Sequence, residues 1–198
     1  MLRLIVQRLA PAREMYLPGE LGAGCKPALP PPKRKFHLWC SQHNPGARAL
    51  LDELERFGGW VGRLLVTEDT SQMDQADQLL LLLDRSTWAE DGRKGMLAAE
   101  VHAPLAALPR RRLLLVHETD AARGGVEAFG HFFGKDQTPH ELLQLKIYAE
   151  IAVSMKEGPY RAASLAMLAA AFAAGEQQWP VVAPTARVLI SGRVQEWR

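Results

Sequence analysis

At 198 residues, with 47% hydrophobic and 23% charged residues, the chain can bury a full core and has neither a disordered nor a fibrous composition. A net charge of +2 and two cysteines without CxxC spacing exclude a strongly basic nucleic-acid binder, a disulfide framework and a cysteine metal site. They point to an intracellular, reducing compartment, and no apolar run has the length of a transmembrane segment.

The charge is unevenly placed. Residues 1–35 carry seven Lys and Arg against two Glu, a net +5, which leaves −3 for the rest of the chain. A basic arm on a mildly acidic body predicts an acidic contact for the arm. Its start sets Leu2, Leu4, Ile5, Val6 and Leu9 among Arg3, Arg8 and Arg13, which resembles an organelle-targeting segment without the usual serines. The alternative is a short peripheral element. Pro11, Pro18, Pro27, Pro30, Pro31 and Pro32 then forbid a regular core element up to residue 35. The expected organisation is a basic extended arm at 1–35, an α/β domain at 36–175 and a tail at 176–198.

The body begins with a strand at Phe36–Cys40. A loop follows, and Asn44 or Pro45 starts a helix with Leu50, Leu51, Leu54 and Phe57 on its apolar face, stopped by Gly58 and Gly59. Arg63–Thr67 reads as a second strand. About ten residues lead from it to the next, near the minimum for a parallel crossover, so only a turn or two of helix fits at 71–76. Leu79–Leu83 and Leu113–Val116 are apolar without alternation, as strands buried on both faces must be. Between them Met96, Leu97, Val101, Leu105 and Leu108 recur at helical spacing.

A Gly-rich loop with Phe129, Phe132 and Phe133 comes next and is expected to plug the end of the sheet. Thr138 as N-cap and Pro139 as first helical residue predict a helix running to Tyr148. A fifth strand at Ile151–Met155 and an Ala-rich helix at Tyr160–Ala174 complete the body, and Ala186–Ile190 reads as β-like. Five strands alternating with helices predict a flavodoxin-like, doubly wound five-stranded parallel sheet in the order 2-1-3-4-5.

Ligands of such sheets gather at the carboxyl ends of the strands. There the chain has Ser41, Gln42 and His43; Glu68 and Asp69; Asp84, Arg85 and Ser86; and His117 and Glu118. Of these, Ser41, His43, Asp84 and Ser86 are the candidate ligand-binding residues. No GxGxxG, no GxxxxGK[ST] and no GxSxG accompanies them, which argues against dinucleotide-fold and serine-hydrolase chemistry. His117 and Glu118 could orient one another, although a capped strand end is the simpler reading. Asp69, Asp74, Asp77 and Asp84 lack the alternating spacing of a cation loop. Glu100 and His102, two apart on a helix, point in different directions and are not a catalytic pair.

The ordered set Thr87-Trp88, Glu100-Val101, His117-Glu118, Phe132-Phe133, Thr138-Pro139 and Ile151-Ala152-Val153 resembles the Toll/interleukin-1 receptor (TIR) domain, closest to the TIR-like group of protist proteins. The similarity spans roughly residues 36–174. It implies the same sheet and one of two functions, assembly as an adaptor or cleavage of the nicotinamide–ribose bond of NAD⁺. In TIR enzymes a Glu on the helix after the third strand holds the ribose, and Glu100 matches that position. The short second crossover, Met96 where the family often has Trp, and Pro104 one turn past Glu100 weigh toward the non-enzymatic kind. The leading expectation is therefore a scaffold subunit needing no cofactor. Residues 1–35 and 176–198 would tie it to protein partners, with no role for nucleic acid. An NAD⁺ glycohydrolase using Glu100 and a small-ligand sensor are the alternatives.

Overall fold

A computed structural model describes residues 28–89, 93–107, 112–134, 137–149 and 152–174. Leu108, Ile151, Gly175 and the β-like run Ala186–Ile190 lie outside the described residues, as does the arm up to residue 27. The elements are β1 (Phe36–Cys40), α1 (Ala47–Gly58), β2 (Val66–Thr67), β3 (Ala76–Leu83), α2 (Arg93–Ala107), β4 (Arg112–Glu118), α3 (His140–Gln144), β5 (Val153–Met155) and α4 (Arg161–Ala174). Short 3₁₀ turns at Thr70–Gln75, Ala121–Arg123, Phe129–Phe133 and Gly158–Tyr160 fill the connections. The strands form one parallel sheet in the order β2-β1-β3-β4-β5, a flavodoxin-like arrangement.

The two leucine runs lie side by side, Leu79 opposite Leu113, Leu81 opposite Leu115 and Leu82 opposite Val116. Successive side chains of a strand face opposite ways, so each run feeds two cores. Leu38, Cys40, Leu80, Leu82, Leu114 and Val116 pack with α1 and α4 on one face. Trp39, Leu79, Leu81, Leu83, Leu113 and Leu115 pack on the other with Leu97 and Val101 of α2 and with Phe132 and Leu142.

A partly buried ion network ties the first face together. Arg161 of α4 donates from Nε and Nη2 to the two oxygens of Glu53 on α1, at 3.1 and 2.8 Å, and from Nη1 to Glu118 Oε2 on β4, at 2.7 Å. Arg123 adds a 2.9 Å hydrogen bond to Glu53 Oε2. His117, one residue earlier on β4, faces the other core against the rings of Phe129 and Phe132 at 5.3 and 5.5 Å. His117 and Glu118 therefore do not orient one another. Alternation along the strand separates them.

Several boundaries differ from the sequence reading, each for a local reason. Helix α1 starts at Ala47 rather than at Asn44 or Pro45, because the Asn44 amide serves β3: Nδ2 donates to Leu82 O at 2.9 Å and Oδ1 accepts from Leu82 N at 2.8 Å. Gly59, at φ 68°, caps the other end as expected. Strand β2 holds only Val66 and Thr67, since residues 60–64 turn on the Trp60 carbonyl. The His37 imidazole completes this edge: its Nδ1 accepts from the Leu65 N–H at 2.9 Å, while its Nε2 carries the proton donated to Pro30 O at 3.0 Å.

Thr138 is not an N-cap. Its hydroxyl donates to Phe132 O at 2.7 Å and meets the Tyr148 hydroxyl at 2.6 Å, which in turn accepts from Trp88 Nε1 at 3.0 Å. Pro139 occupies the cap position instead, and α3 ends at Gln144, short of Tyr148. There the Ile147 N–H reaches back to Leu142 O and Lys146 N–H to Leu143 O, with Lys146 at φ 56°, a Schellman close that a lysine rarely makes. Phe132 is buried as a plug and Phe129 partly so, but Phe133 and Met96 are exposed. The basic end of the arm contacts the chain's own crossover. Lys33 N donates to Asp77 Oδ2, Arg34 Nη1 to Asp74 O and Lys35 Nζ to Gln72 Oε1.

Leu81 is fully buried in the middle of β3. Leu81→Ala is expected to cost about 2–5 kcal/mol in urea unfolding, because the sheet fixes the walls of the void; a loss under about 1 kcal/mol would contradict this packing. The network carries a pH signature. Burial pushes the Glu53 carboxyl up, but the hydrogen bonds and charge of Arg161, with Arg123 beside it, outweigh burial and hold it below its ordinary value. A carboxylate depressed in the fold contributes stability that is present above its unfolded pKa and is lost as pH falls through the folded one. Acid unfolding below about pH 4.3 should therefore be steeper for the native chain than for Glu53→Gln, and equal slopes would show the network uncoupled from stability.

Candidate functional site

Helix α2 returns antiparallel to the sheet, buries Leu97 and Val101, and so turns Glu100 toward the carboxyl ends of β1 and β2. Three polar groups from two connections, the loop after β1 and the turn after β2, meet it. Ser41, the residue after β1, accepts from the His43 N–H at 2.9 Å and donates its hydroxyl to Glu100 Oε2. Because the carboxylate can only accept, the single hydroxyl proton is aimed at it, and the His43 amide takes one lone pair of the same oxygen. Thr70, at the start of the 3₁₀ crossover after β2, donates to Glu100 Oε1 at 3.0 Å. His43 Nε2 lies 3.8 Å from the same Oε1, with its side chain 30% exposed against 19% for Glu100.

The crossover that brings Thr70 is built by its neighbour. Asp69 accepts from Ser71 N at 2.9 Å and Ser71 Oγ at 2.7 Å on Oδ1, and from Gln72 Nε2 at 2.9 Å on Oδ2. These hydrogen bonds, Ser71 first, hold its carboxyl below the ordinary aspartate value. The loop before α1 is stitched to β3 by Asn44. At its end Gly46 sits at φ 75°, a left-handed conformation suited to glycine, where an added Cβ would come within 3.1 Å of Leu82 Cδ2.

Of the residues expected at the site, Ser41, His43 and Glu100 stand together. Asp84 and Ser86 form a separate unit: Asp84 Oδ1 accepts from Ser86 N and Ser86 Oγ, each at 2.8 Å, and from Thr87 Oγ1 at 3.0 Å. Their hydrogen bonds close the turn after β3. Thr70 was not legible as a site residue, for a hydroxyl on a short turn has no spacing that marks it. Cys40, beside this site at the end of β1, is no nucleophile, since burial, with the charge of Glu68, pushes its thiol up to about 12. Among the described residues no group of three His, Cys, Asp or Glu could hold a metal ion, and no helix is long and apolar enough to cross a membrane.

No protein-family model, no curated protein and no solved structure matches this chain.

What the arrangement can do chemically follows from Glu100. Ser41 fixes one oxygen, and the other faces the more open side beside His43. Such a carboxylate can accept hydrogen bonds from a ligand's hydroxyls and stabilise positive charge developing next to them. The loop geometry depends on Asn44, whose amide is buried with both of its groups paired. Asn44→Ala should cost about 1–3 kcal/mol, as the Leu82 N–H loses its partner and the Leu82 C=O keeps only the Thr87 hydroxyl. Hydrogen exchange at the Leu82 amide should rise with it, and an unchanged exchange rate would contradict the stitching.

Proposed function

We propose that this chain is a TIR-type nicotinamide–ribosyl hydrolase that cleaves NAD⁺ at a site centred on Glu100. The observation that carries the reading is the convergence of Ser41 and Thr70 on the Glu100 carboxylate, with His43 alongside, at the carboxyl ends of the strands. Assembly alone does not require a carboxylate gripped in this way. The reading agrees with what the TIR resemblance implies for the glutamate on the helix after the third strand.

In this reaction the bond between the ribose anomeric carbon and the nicotinamide nitrogen breaks, and its electron pair leaves with neutral nicotinamide. Glu100 stabilises the oxocarbenium charge left on the sugar. Water then adds to the anomeric carbon, its proton passing to His43 or solvent, and the products are nicotinamide, ADP-ribose and a proton. NAD⁺ is thus substrate, not cofactor. Pro104, inside α2, has no N–H to offer the Glu100 carbonyl four residues earlier.

The test is NAD⁺ consumption by the purified chain, followed by chromatography of nicotinamide and ADP-ribose. Turnover by the native protein should fall at least about 100-fold in Glu100→Gln, while the far-ultraviolet circular dichroism of the two stays the same. Absence of turnover in the native chain, or equal turnover in both, would refute the assignment.

A further inference from the structure

The two hydroxyls on Glu100 are held very differently. Ser41 is buried, with its oxygen accepting from the His43 amide and its proton going to Oε2. Thr70 lies on an exposed turn and makes a hydrogen bond of ordinary length, 3.0 Å, to Oε1. Ser41 holds the other oxygen of the same carboxylate, Oε2. An exposed hydroxyl that leaves can be replaced on one side by water and on the other by a ligand, at little net cost.

Oε1 is also the oxygen that His43 Nε2 approaches to 3.8 Å. A carboxylate oxygen and an imidazole nitrogen side by side match two adjacent hydroxyls, one donating to Oε1 and the other paired with Nε2. We infer that the Thr70 hydroxyl stands in the position that one hydroxyl of a ribose cis-diol takes, so that Thr70 is a self-occupying placeholder that sets affinity at this site. The inference rests on the reading of Glu100 as the ribose-facing carboxylate. It goes further by naming the oxygen that faces the sugar, the second group that reads the diol, and the residue that competes with it.

The placeholder has a consequence opposite to that of an ordinary contact residue, for deleting its hydroxyl strengthens binding. The experiment is calorimetric titration of ADP-ribose into the full chain and into Thr70→Val and Thr70→Ser, with NAD⁺ turnover measured in parallel. Valine keeps the shape and removes the competing hydroxyl, and should tighten ADP-ribose binding about 2- to 10-fold. Serine keeps the hydroxyl and should bind like the native residue. Unchanged or weaker binding in Thr70→Val, or tightening in both variants, would overturn the placeholder. NAD⁺ turnover with no ADP-ribose binding in any variant would overturn this inference and leave the hydrolase standing. Neither turnover nor binding would overturn both.

Discussion

β3 is buried on both faces, and that constraint determines where polar chemistry can occur. From Leu79 to Leu83 every side chain enters one core or the other, and the backbone is paired with β4 throughout and with β1 as far as Leu80. Such a strand has no place for a reactive group except beyond its ends. Where β1 has already ended, Leu82 would lose its backbone partners, and the Asn44 amide takes over both of them. The same stitch holds the loop that carries Ser41 and His43. Stability of the sheet and geometry of the site therefore share a residue.

The second constraint is the brevity of the crossover after β2. The connection from β2 to β3 holds only a 3₁₀ turn, Thr70–Gln75, and no α-helix. The turn itself lies against α2, burying Met73 with Leu97 and Val101, and puts Thr70 onto Glu100. A feature that weighed toward a scaffold in the sequence thus supplies a member of the proposed site. The arm residues Lys33, Arg34 and Lys35 brace the same turn from outside, the first through its backbone N–H on Asp77 and the other two through side chains on the Asp74 carbonyl and Gln72.

The sheet was legible because parallel strands covered on both sides read as continuous apolar runs, and the leucines of β3 and β4 left no other assignment. The edges were less so. β2 needed only Val66 and Thr67 to pair, while the rest of the expected strand forms a turn around Trp60, a choice made by tertiary packing. Thr138-Pro139 looked like a helix start by its chemistry, yet the threonine was taken by Phe132 and Tyr148 across the aromatic cluster. The end of α3 could not be read at all, since Lys146 gives no glycine signal for its left-handed turn. At the site, Ser41 and His43 were visible as polar residues at a strand end, and Glu100, a helix residue, was singled out only by the TIR resemblance. Their convergence, and the part played by Thr70, depend on how α2 and the crossover pack, which spacing alone does not encode.

The account stands or falls on Glu100 Oε1 being the atom that meets a ribose. The most direct measurement is a crystal structure of the full chain with ADP-ribose. The account predicts a ribose hydroxyl within hydrogen-bond distance of Glu100 Oε1, the Thr70 hydroxyl turned away, and the Ser41 bond to Oε2 intact. Sugar bound elsewhere on the sheet, with the Thr70 and Glu100 side chains still joined, would contradict it.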